Sequence, residues 1–392
     1  MAGKVSDKPL NIIAVIEKAC DRHAVALAVA RAFPLYSLKS GSSGADTLPR
    51  QVTLSFSCAD GTELSDDDLC ALAVAADAVR EAARLVDTPP EEMNTVRLVQ
   101  EAKDVVTRLT SDASIKEQGE VNITTIEGED LDAQGYGGIY GVGKGAKEPP
   151  ALAVLSYTPK SPEDSQTMCW VGKGIVFDTG GLSLKISGSM CGMKADLGGA
   201  AAVLNAFEAA VKLNTPYKLH ALLCIAGTSI LVLKYCFALA HCCLQTLTTR
   251  MCALMIPITT ENAIGPNACR NDDVLRMKSG KTVELNNTDA EGRLVLGDGV
   301  AHASQYLSPD IIVDIATLTG AQMISTGRKH SGVMSTTERL ELAAVAAGRV
   351  SGDLAHPLIY CPEFYRAEFK SAVADMKNVS TQTSDITWNM GI

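Results

Sequence analysis

Val171-Gly-Lys-Gly-Ile-Val-Phe-Asp-Thr-Gly-Gly-Leu-Ser-Leu-Lys185 begins as an apolar strand and runs into a glycine-rich loop, carrying Lys173, Asp178 and Lys185 through apolar surroundings. Working outward, Cys169 to Val171 leads into it, Gly199 to Leu213 follows with helical spacing, and Lys218 to Ile225 reads as the next buried strand. Val121 to Ile126, Ala151 to Tyr157 and Ile311 to Ile315 read as further buried strands. Strands alternating with helices predict an α/β fold: a mixed or parallel β-sheet covered by helices on both faces.

The first part of the chain carries a smaller α/β pattern. Leu10 to Ile16 is apolar, Ala24 to Phe33 is helical, and Val52 to Ser57 alternates as a half-buried strand does. From Ser65 to Val86, Leu69, Leu72, Ala73, Ala76, Val79, Ala83 and Leu85 recur at helical spacing. Ser65 and the three aspartates behind it suit a helix N-terminus, and Thr88-Pro89-Pro90 ends the run. The expected division is a partial N-terminal α/β domain over 1–64, a connecting helix over 65–88 and a main domain over 89–392.

Composition narrows the functional classes. With 392 residues and 46% hydrophobic content the chain can bury a large core. A net charge of −10 with no basic stretch argues against a nucleic-acid partner. The first ten residues lack the apolar core of a signal peptide, so a cytoplasmic location is expected. Twelve scattered cysteines without a C-x-x-C pair, and six histidines without H-E-x-x-H, argue against a thiolate or histidine zinc site. Any metal would be held mainly by oxygen. Residues 221–247 carry Lys234 as their only formal charge, which raises a membrane span. That reading is set aside because it would put the two halves of one site on opposite sides of a bilayer.

Those halves are the opening stretch and Asn287-Thr-Asp-Ala-Glu-Gly-Arg-Leu294, with Met193-Lys-Ala-Asp-Leu-Gly-Gly-Ala200 between them. On an extended segment Asp289 and Glu291 point to one side, Arg293 continues the line, and Gly292 lets the backbone approach closely or turn. Taken singly, each feature has a plainer reading. The D-x-E can be an acidic surface turn before a helix, Lys173 a capping lysine paired with Asp178, and Asp196 a helix N-cap. Taken together, Asp178, Asp196, Asp289 and Glu291 supply four negative charges, which would balance two divalent ions. Such a pair, about 3.5–4 Å apart, polarises a carbonyl and activates water without a histidine base. Lysine ligation requires the neutral amine, which adjacent cations favour. Lys185 and Arg293 remain as positive charges suited to an oxyanion or a bound anion.

These three motifs, with Ala316-Thr-Leu-Thr-Gly-Ala321 in the same order, resemble the leucyl aminopeptidases of the cytosol aminopeptidase family, dimetal exopeptidases, with an animal aminopeptidase-like branch nearest in pattern. The resemblance runs from about Ala24 to Asn378. It implies metal-dependent removal of N-terminal amino acids from peptides. One metal would be held by Lys173, Asp178, Asp196 and Glu291, the other by Asp178, Asp289 and Glu291. Lys185 would polarise the peptide carbonyl, and Arg293 would hold a bicarbonate acting as general base. Met193, Thr317, Leu318 and Gly320 would line the substrate site. The family uses zinc or manganese, takes peptides with a free N-terminus and usually forms hexamers.

The sequence departs from the family's pattern in three places. Gly227 to Thr260 interrupts it with 34 residues whose composition and Gly-Thr opening suggest a translated intron. After Asn378 the family's further strand and helix are not continued, which is expected to expose a sheet edge. The N-terminal domain also reads as shortened. These departures leave an alternative open: a catalytically impaired or non-catalytic family member that acts at most as an assembly partner.

Overall fold

The computed structural model describes residues 9–38, 51–161, 166–186, 188–227 and 267–380. Its first elements are strand β1 (Leu10–Ile16), helix α1 (Arg22–Arg31), strand β2 (Val52–Cys58) and helix α2 (Asp66–Asp87). β1 and β2 pair in parallel, Leu10 opposite Val52; β2 exposes alternate residues as its sequence alternation predicts, and β1, read as an apolar run, does the same and leaves Ile13 and Val15 exposed. α2 starts on a reciprocal capping box between Ser65 and Asp68. It ends where Thr88 turns extended before Pro89.

The main body continues with α3 (Thr95–Ser111), α4 (Ala113–Gln118), β3 (Gly119–Glu127), α5 (Glu129–Ala133), α6 (Gly137–Gly143), β4 (Ala151–Pro159) and β5 (Thr167–Ile175). Then come α7 (Gly198–Lys212), β6 (Lys218–Ala226), a small pair of strands β7 (Val274–Arg276) and β8 (Thr282–Glu284), and α8 (Gly292–His302). β9 (Ile311–Ile315), α9 (Ala321–Ser325), β10 (Ser331–Val333), α10 (Glu338–Ser351), β11 (Ala355–Pro357), α11 (Pro362–Tyr365) and β12 (Met376–Lys377) complete the order.

Five of these strands form the central sheet in the order β3-β4-β6-β5-β9. β4 pairs antiparallel with both β3 and β6, whereas β6, β5 and β9 are parallel, so the sheet is mixed. Side-chain parity divides the core into two layers. Ala153, Leu155, Tyr157, Ala221, Leu223 and Ile225 face one layer with Leu98, Ala102 and Val105 of α3 and Leu204 and Phe207 of α7. Leu152, Val154, Val171, Ile175, Leu222 and Cys224 face the other, with Ile139 of α6 and Leu294 and Val295 of α8. β4 and β6 are buried on both faces, which explains their continuous apolar sequences.

Residues 221–226 of the apolar stretch lie within β6 as a buried sheet strand. The rest of that stretch and nearly all of the 34-residue insertion fall outside the described residues. Among the described residues no helix is long and apolar enough to cross a membrane. β9 forms one edge of the sheet, with Val313 and Ile315 exposed.

Candidate metal centre

The chemistry gathers at the carboxyl ends of the parallel strands β5 and β9, where the connections to α7 and α8 converge. Open α/β sheets place ligand sites at such ends. Lys173 shares the parity of Val171 and Ile175, so its side chain leaves β5 on the α8 face. Gly292 opens α8 directly against it: a Cβ at this position would stand 2.6 Å from Lys173 Cε. On the opposite face of β5 a Cβ at Gly199 would stand 2.0 Å from the Ile315 carbonyl oxygen. Two glycines thus let α8 and α7 close on the strands that carry the site.

Lys173 and Lys185 each bridge two carboxylates. Lys173 Nζ is 2.8 Å from Asp196 Oδ2 and 2.8 Å from Glu291 Oε1, and also donates to the Thr317 carbonyl at 3.3 Å. Lys185 Nζ is 2.8 Å from Asp178 Oδ2 and 2.5 Å from Asp289 Oδ1. The pairing of Lys173 with Asp178 offered by the sequence is therefore not the one found; Asp178 belongs to Lys185. Four carboxylates against two ammonium groups leave two negative charges uncompensated when all are ionised. Asp178, Asp289 and Glu291 bring carboxylate oxygens within 4.8 Å of one another.

Burial makes this arrangement costly. Lys173, Asp178, Asp196 and Glu291 are all buried. Desolvation pushes the Glu291 carboxyl up to about 7, against the attraction of Lys173 and with the repulsion of Asp178 and Asp196. Desolvation likewise raises Asp196 to about 6, again opposed by Lys173. Asp289 moves upward for the same reason, partly offset by its bond from Lys185. Burial pulls both lysines down, but the neighbouring carboxylates outweigh it and hold each ammonium above its ordinary range.

The donor set fits divalent cations. Glu291 Oε2 is buried and has no hydrogen-bond partner among the described residues. A buried carboxylate oxygen left this way needs a cation or a donor. Hard or borderline divalent ions suit several oxygen ligands around one point.

The local conformation differs from the extended segment expected for Asp289 to Arg293. Asp289 sits in a turn, its backbone N–H bonded to Asn287 Oδ1, and Glu291 is the N-cap residue of α8 in helical conformation. A turn before a helix is thus correct, but with Thr288, Ala290 and Glu291 buried and Asp289 partly so it is not a surface feature. Asp196 lies in a 3-10 turn (Met193–Leu197) ahead of α7, whose N-cap is Leu197. Its carboxylate accepts from Lys173 and from Thr317 Oγ1 at 2.7 Å instead of capping the helix.

The remaining candidates divide. Thr317 joins the cluster through both its hydroxyl and its carbonyl. Arg293 is half-buried, and its Nη1 donates to the Asn378 carbonyl at 2.7 Å. Met193 starts the 3-10 turn, Leu318 packs on the α8-side core, and Gly320 precedes α9. Among the described residues no hydrogen bond ties these three to the carboxylates. Thr288 and Asn378 were not singled out by the sequence reading. Thr288 Oγ1 donates to the Gly180 carbonyl at 2.7 Å and accepts from Ser183 N at 2.8 Å, latching the Asp178–Lys185 loop to the Asp289 turn. Its position inside the motif was the available signal.

The pattern of the cytosol aminopeptidase family, catalytic domain, matches residues 80–231 and 231–389. Human probable aminopeptidase NPEPL1 is 49% identical over 357 residues, and leucine aminopeptidase 1 of Caenorhabditis elegans is 40% identical over 351. These alignments take in 91% and 90% of this chain but 59% and 61% of the relatives, so the chain spans about three-fifths of their length. The solved structure of C. elegans leucine aminopeptidase superposes with a TM-score of 0.79 at 35% identity, covering 98% of this chain and 71% of that one. The bottromycin maturation enzyme BotP in complex with Mn superposes at 0.73 and 27% identity, covering 95% of this chain and 69% of that one. With its catalytic-domain pattern matched along most of its length, this chain belongs to the cytosol aminopeptidase family.

Proposed function

We propose that the chain is a metal-dependent aminopeptidase that removes N-terminal amino acids from peptides with a free N-terminus. The observation that carries this reading is the cluster of buried Asp178, Asp196 and Glu291 with the partly buried Asp289, whose excess negative charge is countered by Lys173 and Lys185. In this reading Lys173, Asp178, Asp196 and Glu291 hold one divalent ion and Asp178, Asp289 and Glu291 the other, zinc or manganese. Bound there, two such ions supply a water nucleophile at neutral pH and polarise the peptide carbonyl.

The chain's own groups do the rest. Lys173 would hold the ion as a neutral amine, its proton passing to solvent on binding, which the adjacent positive charge would favour. Lys185, on the side of the cluster formed by Asp178 and Asp289, shifts its ammonium toward the carbonyl oxygen as negative charge develops there. Arg293, fixed through Nη1, holds an anion such as bicarbonate that accepts the proton of the attacking water. Thr317 keeps Asp196 aligned, and Met193, Thr317, Leu318 and Gly320 form the wall against which the substrate lies. A catalytic unit over 89–392, cytoplasmic residence and assembly into a homo-oligomer, a hexamer as in the family, belong to the same proposal.

The test is direct. The purified chain with Mn²⁺ or Zn²⁺ is expected to release N-terminal residues from short peptides, and Asp289→Ala or Lys185→Ala to lose at least about a hundredfold of that rate. Undiminished hydrolysis in both variants would discard the assignment.

A further inference from the structure

The stretch from Ala372 to Asn378 ends the family resemblance without having been given a role. Its last residue is fully buried. β12 pairs in parallel with β8, Met376 opposite Val283 and Lys377 opposite Glu284. That register carries Asn378 past the end of β8 and up to the turn in front of α8. Asn378 Oδ1 accepts from Asn286 N at 3.0 Å and Asn287 N at 3.3 Å. Its Nδ2 donates to the Asn287 carbonyl at 2.6 Å and the Ala290 carbonyl at 3.3 Å.

An asparagine carboxamide offers two acceptor positions and two donors. All are spent on one short turn, the turn that carries Asp289 and delivers Glu291 to α8. The backbone of the same residue accepts from Arg293 Nη1 at 2.7 Å. Next to it, Asn286 and Val379 exchange a reciprocal pair of bonds at 3.0 Å each. A residue that served only to join β12 to β8 would spend its side chain on the strand ladder or on packing. Here every side-chain bond falls on residues 286–290.

We propose that Asn378 is a positioning residue: it fixes the turn that presents Asp289 and Glu291, and through its carbonyl the orientation of Arg293, so that the carboxylates are aimed before any cation arrives. This rests on the metal reading given above. Partners that orient ligands in this way typically change metal affinity by about 10–100-fold when removed. Asparagine is specifically required, because aspartate keeps the acceptors but loses both donors and sets a carboxylate against the carbonyls of Asn287 and Ala290.

The test uses the full chain with Asn378→Asp and Asn378→Ser, the second removing the clamp without adding a charge. In the metal-free protein, hydrogen exchange at the Asn286 and Asn287 amides should rise roughly tenfold or more, as expected for losing buried hydrogen bonds, while β4 and β6 keep their protection. Calorimetric titration with Mn²⁺ should show affinity about 10–100-fold weaker than in the unaltered chain. Unchanged exchange in the turn overturns the clamp. A loosened turn with unchanged Mn²⁺ affinity overturns its positioning role. Protection lost equally in β4 and β6 assigns Asn378 to the fold at large and also overturns it. If the unaltered chain binds no Mn²⁺, the metal reading falls, and the exchange comparison still reports on the clamp separately.

Discussion

Gly292 and Lys173 are in direct apposition: a Cβ on the first residue of α8 would lie 2.6 Å from Lys173 Cε and 2.8 Å from Nζ. The helix that delivers Glu291 can reach the lysine that neutralises it only because this position has no side chain. Gly292→Ala is therefore expected to displace the Lys173 ammonium, with a stability cost of roughly 1–3 kcal/mol from overpacking and, under the proposed function, a larger relative loss of peptide hydrolysis. Gly199→Ala should be worse for folding, since its new Cβ would meet the Ile315 carbonyl oxygen at 2.0 Å, and backbone has no rotamer to move. Urea unfolding of both variants, with peptide hydrolysis on the folded one, checks the order.

Lys173→Met removes the counter-charge of Glu291 and Asp196, both of which are buried. Breaking such a pair from one side costs about 3–5 kcal/mol, because a buried charge is left uncompensated. The cost should shrink on adding Mn²⁺ if the ion takes over the neutralising role. Equal destabilisation with and without Mn²⁺ in denaturant titrations would separate the lysine from the metal site.

Metal loading should itself stabilise the fold. A ligand bound only by the native chain adds about 2.7 kcal/mol at a hundred times its dissociation constant. Treating the loaded protein with a chelator is accordingly expected to lower Tm, and the drop should disappear in Asp289→Ala. Scanning calorimetry on the two proteins reads this without any substrate.

His302 gives a pH dependence away from the metal cluster. Burial, then the nearby Lys278 charge, brings its imidazole down to about 4, and the Tyr136 hydroxyl lies 2.7 Å from its Nδ1. Between pH 6.5 and 4 the unfolded chain takes up a proton that the folded chain does not, so this residue's contribution to stability is lost as the pH falls through that window. His302 is partly exposed, which reduces the size of the effect but not its sign. His302→Gln should be less sensitive to acidification, seen as a smaller decline of the urea midpoint from pH 7 to pH 5 than in the unaltered chain. Comparing two chains that share the same carboxylates cancels the titration of the cluster.

The main strands and α7 were legible because burial on both faces leaves long apolar runs, and α2 because its aspartates and Ser65 mark a helix start. The ligand candidates were legible as charges in apolar surroundings: Lys173 alone had a plainer reading as a capping lysine, and only its company with four carboxylates in the three motifs pointed to a metal site. Conformation at the motif was not. Period-two reasoning made Asp289 and Glu291 share a face on an extended chain, whereas the structure brings them together across a turn and a helix start, where backbone bonds from distant residues decide the geometry. The lysine pairings were likewise unreadable, since Lys185 and Asp289 meet across 104 residues. Asn378 carries no charge and no periodic signal, so its four bonds to the turn could be seen only once β12 was placed beside β8.

Thr288 offers a test that the polar latch, and not side-chain volume, holds the two halves of the site together. Its hydroxyl donates to the Gly180 carbonyl and accepts from Ser183 N, and its own N–H donates to Ser183 Oγ at 3.2 Å. Thr288→Val keeps the shape but leaves the buried Gly180 carbonyl and the part-buried Ser183 N–H without that partner, at about 1–3 kcal/mol for the buried group and less for the other. The strain falls on the loop that carries Asp178 and Lys185. If Lys185 has the proposed role, acting on charge that develops in the transition state rather than on the bound substrate, loss of kcat should therefore exceed any change in KM. Thr288→Ser keeps the hydroxyl and should recover most of the rate. If valine and serine behave alike in steady-state kinetics, the loop is held by packing, and the hydroxyl bonds are incidental to the site.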